Sequence, residues 1–288
     1  MVAKNIELLA IVGPTASGKT SLALDIAEAF NGEIIAVDSR TIYKGLDIGT
    51  AKPTKEQQAR VRHWGLDLID PGEAYSAAQF KDYANAAIAN IQSRGKLPIL
   101  VGGTGLYMDG VLYDFSFAEP DAALRKKLGA KSAEQLRAMI IKQGIPMPKN
   151  EQNKLHLITA IERKGQTTER KPLRDGAVIV GLNPDRTALR RVVKIRAEQM
   201  IDEGVLGEIK RMSNNYGWDA PGMTGGIYRA MRPVIEGSMS EAEGLKQFVA
   251  SDMQLAKRQM TWLKRNPDIN WFVDSRPAKR WLMDELSR

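Results

Sequence analysis

An unbroken apolar run, IELLAIV at residues 6–12, has counterparts in EIIAVD at 33–38, LPILVG at 97–102 and AVIVGL at 177–182. Runs this short, apolar at successive rather than alternate positions, predict parallel strands buried on both faces. Between the first two, Leu22, Ile26, Ala29 and Phe30 recur at helical spacing and predict a helix over Lys19–Phe30 with those residues inward. Strands alternating with helices give an α/β fold: a parallel-sheet core with helices on both faces.

Strand signals vanish between the third and fourth runs. Helical periodicity is read over Asp121–Leu128, Ser132–Gln143 and Asn150–Arg163, broken at Gly129, Gly144-Ile145-Pro146 and Gly165. Ser132 and Gln135 stand at capping-box spacing. A structureless loop of this length is rare in a compact domain, so residues 115–176 are expected to form a helical insertion into a core made of 1–114 and 177–288. Further helices are expected at Asp185–Glu203 and Ser240–Arg265, then a short strand at Trp271–Val273 and a terminal helix. No internal repeat is present.

Composition narrows the class. Of 288 residues, 43% are hydrophobic and 26% charged, as in a folded globular protein, and the absence of cysteine removes disulfide, thiolate and Cys-ligated metal chemistry. No apolar stretch reaches the roughly 18 residues of a membrane helix. The N-terminal run lacks the form of a signal peptide, so a cytoplasmic location is expected. With no coiled-coil or exposed apolar repeat, so is a monomer.

Charge is unevenly spread. The net +8 divides into −3 over residues 1–120, +7 over 121–176 and +4 over 177–288. A basic middle joined to a slightly acidic front half suits a polyanionic partner.

Gly13-Pro14-Thr15-Ala16-Ser17-Gly18-Lys19-Thr20 matches the phosphate-binding pattern GxxxxGK[ST], and it lies between an apolar strand and an amphipathic helix as that chemistry requires. Loop N–H groups and the helix N-terminus converge on a diphosphate, Lys19 neutralises charge, and the Thr20 hydroxyl can ligate Mg²⁺. The motif does not choose between breaking a P–O and a C–O bond. Asp38 ends the second strand and returns to the same sheet edge, placed to act as a general base or to approach Mg²⁺ through water. GGTGLY at 102–107 ends the third strand there, with paired glycines that would let backbone approach a ligand. On the 240–265 helix, Arg258, Trp262 and Arg265 share a face, with Lys257 and Lys264 beside it, suiting phosphate contacts and base stacking. His63 and His156 fit no ligand or triad spacing.

Five segments, in this order, resemble the tRNA dimethylallyltransferase (tRNA isopentenyltransferase) family: GPTASGKT at 13–20, VDSRTIYKGLDIGTAKP at 37–53, AYSAAQF at 74–80, GGTGLY at 102–107 and QLAKRQMTWLK at 254–264. The resemblance implies transfer of a dimethylallyl group from dimethylallyl diphosphate to N6 of the adenine 3′ to a tRNA anticodon. It implies that residues 13–20 hold the diphosphate, with Lys19, Thr20 and Mg²⁺ supporting the leaving group, and that Asp38 accepts the N6 proton. Asp38, Ser39, Arg40, Thr41, Thr104 and Arg125 would lie along the tRNA path, the insertion would grip the anticodon arm, and Lys257, Arg258, Gln259, Trp262 and Lys264 would engage RNA. The chain departs from the family at Thr41, where Gln is common, and ahead of Ala160-Ile161-Glu162, where the family's Asn-Asp and two arginines appear as Gln152, Asn153, His156 and Thr159. It departs again at Met223–Tyr228, with Thr224 and Ile227. A nucleotide-prenylating relative, a small-molecule P-loop kinase and a non-catalytic RNA-binding module remain the alternatives.

Overall fold

A computed structural model describes residues 6–115, 122–148, 150–164 and 171–288. The expected helix start at Asp121 and the break at Gly165 lie outside the described residues. The chain divides into two compact units, 1–112 with 173–288, and 113–172.

In the larger unit the order is β1 (Leu8–Val12), α1 (Lys19–Ala29), β2 (Gly32–Val37), α2 (Lys55–Arg60), β3 (His63–Trp64), α3 (Ala77–Ser93), β4 (Leu97–Gly102) and α4 (Gly105–Leu112). The smaller unit supplies α5 (Ala122–Gly129), α6 (Ala133–Lys142) and α7 (Lys154–Glu162). The larger unit resumes with β5 (Ala177–Leu182), α8 (Arg186–Asp202), α9 (Val205–Tyr216), α10 (Gly226–Ile235), α11 (Glu241–Leu263), β6 (Ile269–Phe272) and α12 (Ser275–Leu286).

The strands form one parallel sheet in the order β3-β2-β4-β1-β5-β6. Every residue of β1 and β2 is buried, which is why these strands read as continuous apolar runs. Leu9, Ile11, Ile99 and Val101 share a cluster with Leu22, Ala23 and Ile26 of α1 and Ala278 and Leu282 of α12, while α3 covers β2 and β4. The expected inner face of α1 is corrected at one end: Ala29 is exposed and Phe30 only partly buried, because Ala23, Leu24 and Ala27 take the inward positions. The last strand runs Ile269–Phe272 rather than Trp271–Val273, since Ile269 pairs with Ile179 and Val273 is solvent-exposed.

At the N-terminal end of β2 the buried Glu33 carboxylate accepts from both Arg94 Nη atoms at 2.5 and 2.7 Å and from Trp64 Nε1 at 2.8 Å, with Lys96 at 3.0 Å. The Arg94 pairing above all holds its pKa at about 2. A second apolar cluster joins α8 to α11 with Ile42, Tyr43 and Leu46 of the chain after β2, so the segment following Asp38 is packed rather than loose.

The smaller unit has its own core of Leu128, Leu136, Ile140, Leu157, Ile158 and Ile161. Ser132 and Gln135 form the capping box their spacing announced, and Asn153 caps α7 through Leu155 N at 3.0 Å.

Candidate active site

The carboxyl edge of a parallel sheet leaves the backbone without ladder partners, and there the chain places β1's exit, Asp38 after β2 and Gly103 after β4. Residues from these three points and from α8, α10 and α11 line one cavity of about 190 Å³.

The phosphate loop forms one wall. Gly18 adopts φ 87°, open to glycine without strain, and heads α1 with no side-chain cap and no acidic residue in the first turn. The N–H groups that a Ser or Asp cap would occupy are left for an anion. Lys19 Nζ donates back to Pro14 O at 2.5 Å and reaches Ser17 Oγ at 3.4 Å. Desolvation lowers Lys19 from 10.5 to about 8, opposed by the Asp38 carboxylate and reinforced by Arg196.

Two neighbours of the loop were invisible in the pattern. Arg196 of α8 donates through Nη2 to Thr15 Oγ1 at 2.9 Å and to the Asp252 carboxylate of α11, while its buried Nε has no hydrogen-bond partner among the described residues. Asp252 is 5% exposed, and burial raises its pKa despite Arg196. The guanidinium, held through its Nη2 alone, brings a second positive charge beside the loop.

Asp38 Oδ1 accepts from Arg40 N at 2.7 Å, so it caps the following turn while lining the cavity with Lys19 and Thr20. Arg40 in turn donates to Thr224 Oγ1 at 2.6 Å and to Pro221 O at 3.1 Å. Ser39 N donates to Thr104 Oγ1 at 3.3 Å, which ties the ends of β2 and β4 together. Thr41 is 6% exposed, in the cavity wall rather than on an outer surface.

The loop after Thr41 is held by a carboxylate from far along the chain. Glu208 of α9 is buried, accepts from the N–H groups of Asp47, Ile48 and Gly49 at 2.8, 2.8 and 2.9 Å, and accepts from Tyr228 Oη at 2.8 Å. Gly49, Thr50 and Ala51 line the cavity, so this clamp sets part of its shape. Burial and the facing carboxylate push the Tyr228 phenol up.

Gly102 and Gly103 line the cavity, and the glycines of this segment also make room for α11. A Cβ on Gly103 would lie 2.4 Å from Gln259 Nε2, and one on Gly105 would lie 2.1 Å from Trp262 Cδ1. They admit α11 against the sheet edge. Gln259 faces the phosphate loop, accepting from Thr15 N at 2.9 Å, whereas Lys257, Arg258 and Lys264 are exposed. Trp262 is partly exposed, donates to Asp109 Oδ2 at 2.7 Å, and shares a shallow hollow with Lys257, Arg258 and Arg265.

In the smaller unit Arg125 lies 3.7 Å from Glu162 Oε1 and is half-exposed. His156 is exposed, and Thr159 is partly buried.

Whether the site fits Mg²⁺ turns on its donors. Thr20 and Asp38 offer one hydroxyl and one carboxylate in the same cavity, and no group of three metal-ligating side chains exists among the described residues. That set suits a Mg²⁺ that keeps waters and takes further oxygens from a bound diphosphate, rather than a cage built by protein alone.

Sheet, loop and sheet-edge carboxylate define a P-loop protein. Comparison with known proteins gives the family. A family model described as IPP transferase matches residues 41–266. The chain is 35% identical to a tRNA dimethylallyltransferase of Macrococcus caseolyticus over 98% of its length and 95% of the relative's. It is 39% identical to one of Roseiflexus sp. over 92% of each. Among solved structures it resembles a full-length tRNA isopentenylpyrophosphate transferase of Bacillus halodurans with TM-score 0.74 and 31% identity, covering 98% of this chain and 97% of that one. A eukaryotic dimethylallyltransferase described as acting on tRNA shares the fold, with TM-score 0.78 at 21% identity, covering 95% of this chain and 75% of that one. The chain belongs to the IPP transferase family.

Proposed function

We propose that this protein transfers a dimethylallyl group from dimethylallyl diphosphate to N6 of the adenine 3′-adjacent to the anticodon in tRNA. The observation that carries the reading is a cavity lined by Thr15, Ala16, Lys19 and Thr20 of the phosphate loop together with Asp38, in a member of this family.

The diphosphate lies on loop 13–20, with Lys19 leaving Pro14 O for the phosphate oxygens and Arg196 supporting the loop. As the allylic C–O bond breaks, charge grows on the leaving oxygen, and these cations oppose it in a site partly closed to water. Thr20, with Asp38 through water, would hold Mg²⁺, which supplies further neutralisation of the diphosphate when bound. N6 attacks the allylic carbon while Asp38 takes its proton. The adenine must leave its stack to reach this depth.

The smaller unit and the exposed Lys257, Arg258, Trp262 and Lys264 contact the anticodon arm, with Arg125 on the same path. Thr104 holds Ser39 and so orients Asp38. No helix among the described residues is long and apolar enough to cross a membrane, and a tRNA acceptor fits a cytoplasmic location.

A competition assay tests the acceptor. With AMP and an anticodon stem-loop present together, prenylated adenosine should appear only in the RNA. Preferential labelling of AMP would assign the chain to the nucleotide-prenylating reaction instead.

A further inference from the structure

The cavity runs inward from Asp38 along one face of the sheet. Ile34, Ala36 and Asp38 alternate along and just beyond β2, so they share that face. Val101 stands opposite Ala36 and His63 opposite Ile34 in the parallel register. All five line the cavity together with Ala23 of α1. Beyond Asp38 this wall is apolar, as a five-carbon hydrocarbon tail requires.

Two polar atoms break that wall. Thr41 Oγ1 and His63 Nε2 are buried with no hydrogen-bond partner among the described residues, and both residues line the cavity. The Thr41 carbonyl is engaged, accepting from Asp67 N at 3.2 Å, but its side chain is not. His63 Nδ1 lies 2.8 Å from Val61 O, which assigns the ring proton to Nδ1 and leaves Nε2 a bare acceptor. Burial also lowers the His63 pKa, against the opposing Val61 hydrogen bond. A buried polar atom without a partner is costly, so two of them on one cavity wall point to a polar group bound between them. A hydroxyl donor and an imidazole acceptor together match one hydroxyl group, which accepts from the first and donates to the second.

Resting on the proposed reaction, we infer that the donor site takes a five-carbon allylic diphosphate carrying a hydroxyl on its tail, held by Thr41 and His63, as well as the plain dimethylallyl donor. The chemistry balances unchanged: the C–O bond to diphosphate breaks, the N6–C bond forms, and the N6 proton passes to Asp38. The tail hydroxyl neither forms nor breaks a bond.

An apolar pocket rejects a substrate with one added hydroxyl by roughly 100-fold, whereas a pocket that pairs the hydroxyl removes that penalty. The experiment compares kcat/KM for the hydroxylated and plain diphosphates on one anticodon stem-loop, in wild type, T41V and H63F. Wild type should use the two within about tenfold of each other, and the ratio should fall about tenfold or more in T41V and in H63F. A wild-type preference for the plain donor of roughly 100-fold would overturn the inference. So would a ratio unmoved by both variants, which would mean that the two atoms only hold water. Calorimetric affinities of both diphosphates without RNA give the same ratio independently of turnover. A failure of the prenyl-transfer reading therefore stays separable from a failure of this one.

Discussion

At the scale of single residues, the lysine of the phosphate loop carries the sharpest consequence. On the proposed reading its protonated form binds diphosphate, and desolvation lowers its pKa to about 8. Affinity for inorganic diphosphate should therefore be full below about pH 8, weaken as pH rises through it, and be accompanied by proton uptake there; calorimetry in buffers of different ionisation enthalpy measures both. K19A should lower kcat/KM by about 100-fold to 1,000-fold, the range for removing one preorganised charge-stabilising donor. D38N keeps an oxygen acceptor for Arg40 N but loses the base, so kcat should fall by about 100-fold or more with the melting temperature little changed. Glu33 gives a separate check on the fold. Its carboxyl titrates at about 2 in the folded chain against an ordinary 4.5. It therefore contributes stability that is complete above pH 4.5 and lost as pH falls from 4.5 toward 2, on the order of 2–3 kcal/mol once solvent screening at the partly exposed Arg94 and Lys96 is allowed for. R94A should flatten that part of the acid-stability curve. Lys19 and Asp38 were legible because motif and strand end announce them. Arg196, Asp252 and Glu208 were not, since a lone charge on an amphipathic helix reads as solvated, and their partners lie 181 residues away for Arg196–Thr15 and 160 for Glu208–Ile48.

At the scale of elements, the sheet was readable where strands are buried on both faces, and only in part at the half-exposed edges, where β6 was expected two residues late and β3 not at all. The four apolar runs became β1, β2, β4 and β5 because nothing but a covered parallel strand accommodates such runs. β3 has two residues, one of them a histidine, too short for any period. α10 begins at Gly226 and contains Pro233, both of which read as breakers, yet its apolar face packs with α9 and α11. The clamp from α9 makes an element-scale test. E208Q swaps one acceptor oxygen for an amide donor that faces N–H or O–H groups, and it should destabilise the fold by roughly 2–3 kcal/mol. Hydrogen exchange at the amides of Asp47, Ile48 and Gly49 should accelerate more than exchange in β1. Uniform acceleration would show that Glu208 supports the fold at large rather than this loop. The same helix-scale view explains Gln259. It follows Arg258 by one residue, about 100° around α11, and so turns from the basic outer face to the phosphate loop.

At the scale of the molecule, the chain carries the phosphate loop on the larger unit and joins it to a smaller unit rich in positive charge. The insertion was visible as a break in strand periodicity combined with net +7 over residues 121–176. What its charge grips was not visible, because Lys and Arg at helical spacing serve solvent and phosphate alike. Replacing Lys126, Lys127 and Lys131 with Gln should weaken binding of an anticodon stem-loop and reduce the slope of log K against log salt by about 0.7–0.9 for each phosphate no longer neutralised. Filter binding across a salt series reads it, and an unchanged slope would remove these lysines from the RNA interface. The most direct test of the central claim follows labelled dimethylallyl from its diphosphate onto an anticodon stem-loop with adenine 3′ to the anticodon, with Mg²⁺ present and K19A in parallel. Label should appear on N6 of that adenine with wild type and be nearly abolished with K19A. Tight binding of the stem-loop without transfer to it would contradict the account, leaving a family member that grips RNA but does not prenylate it.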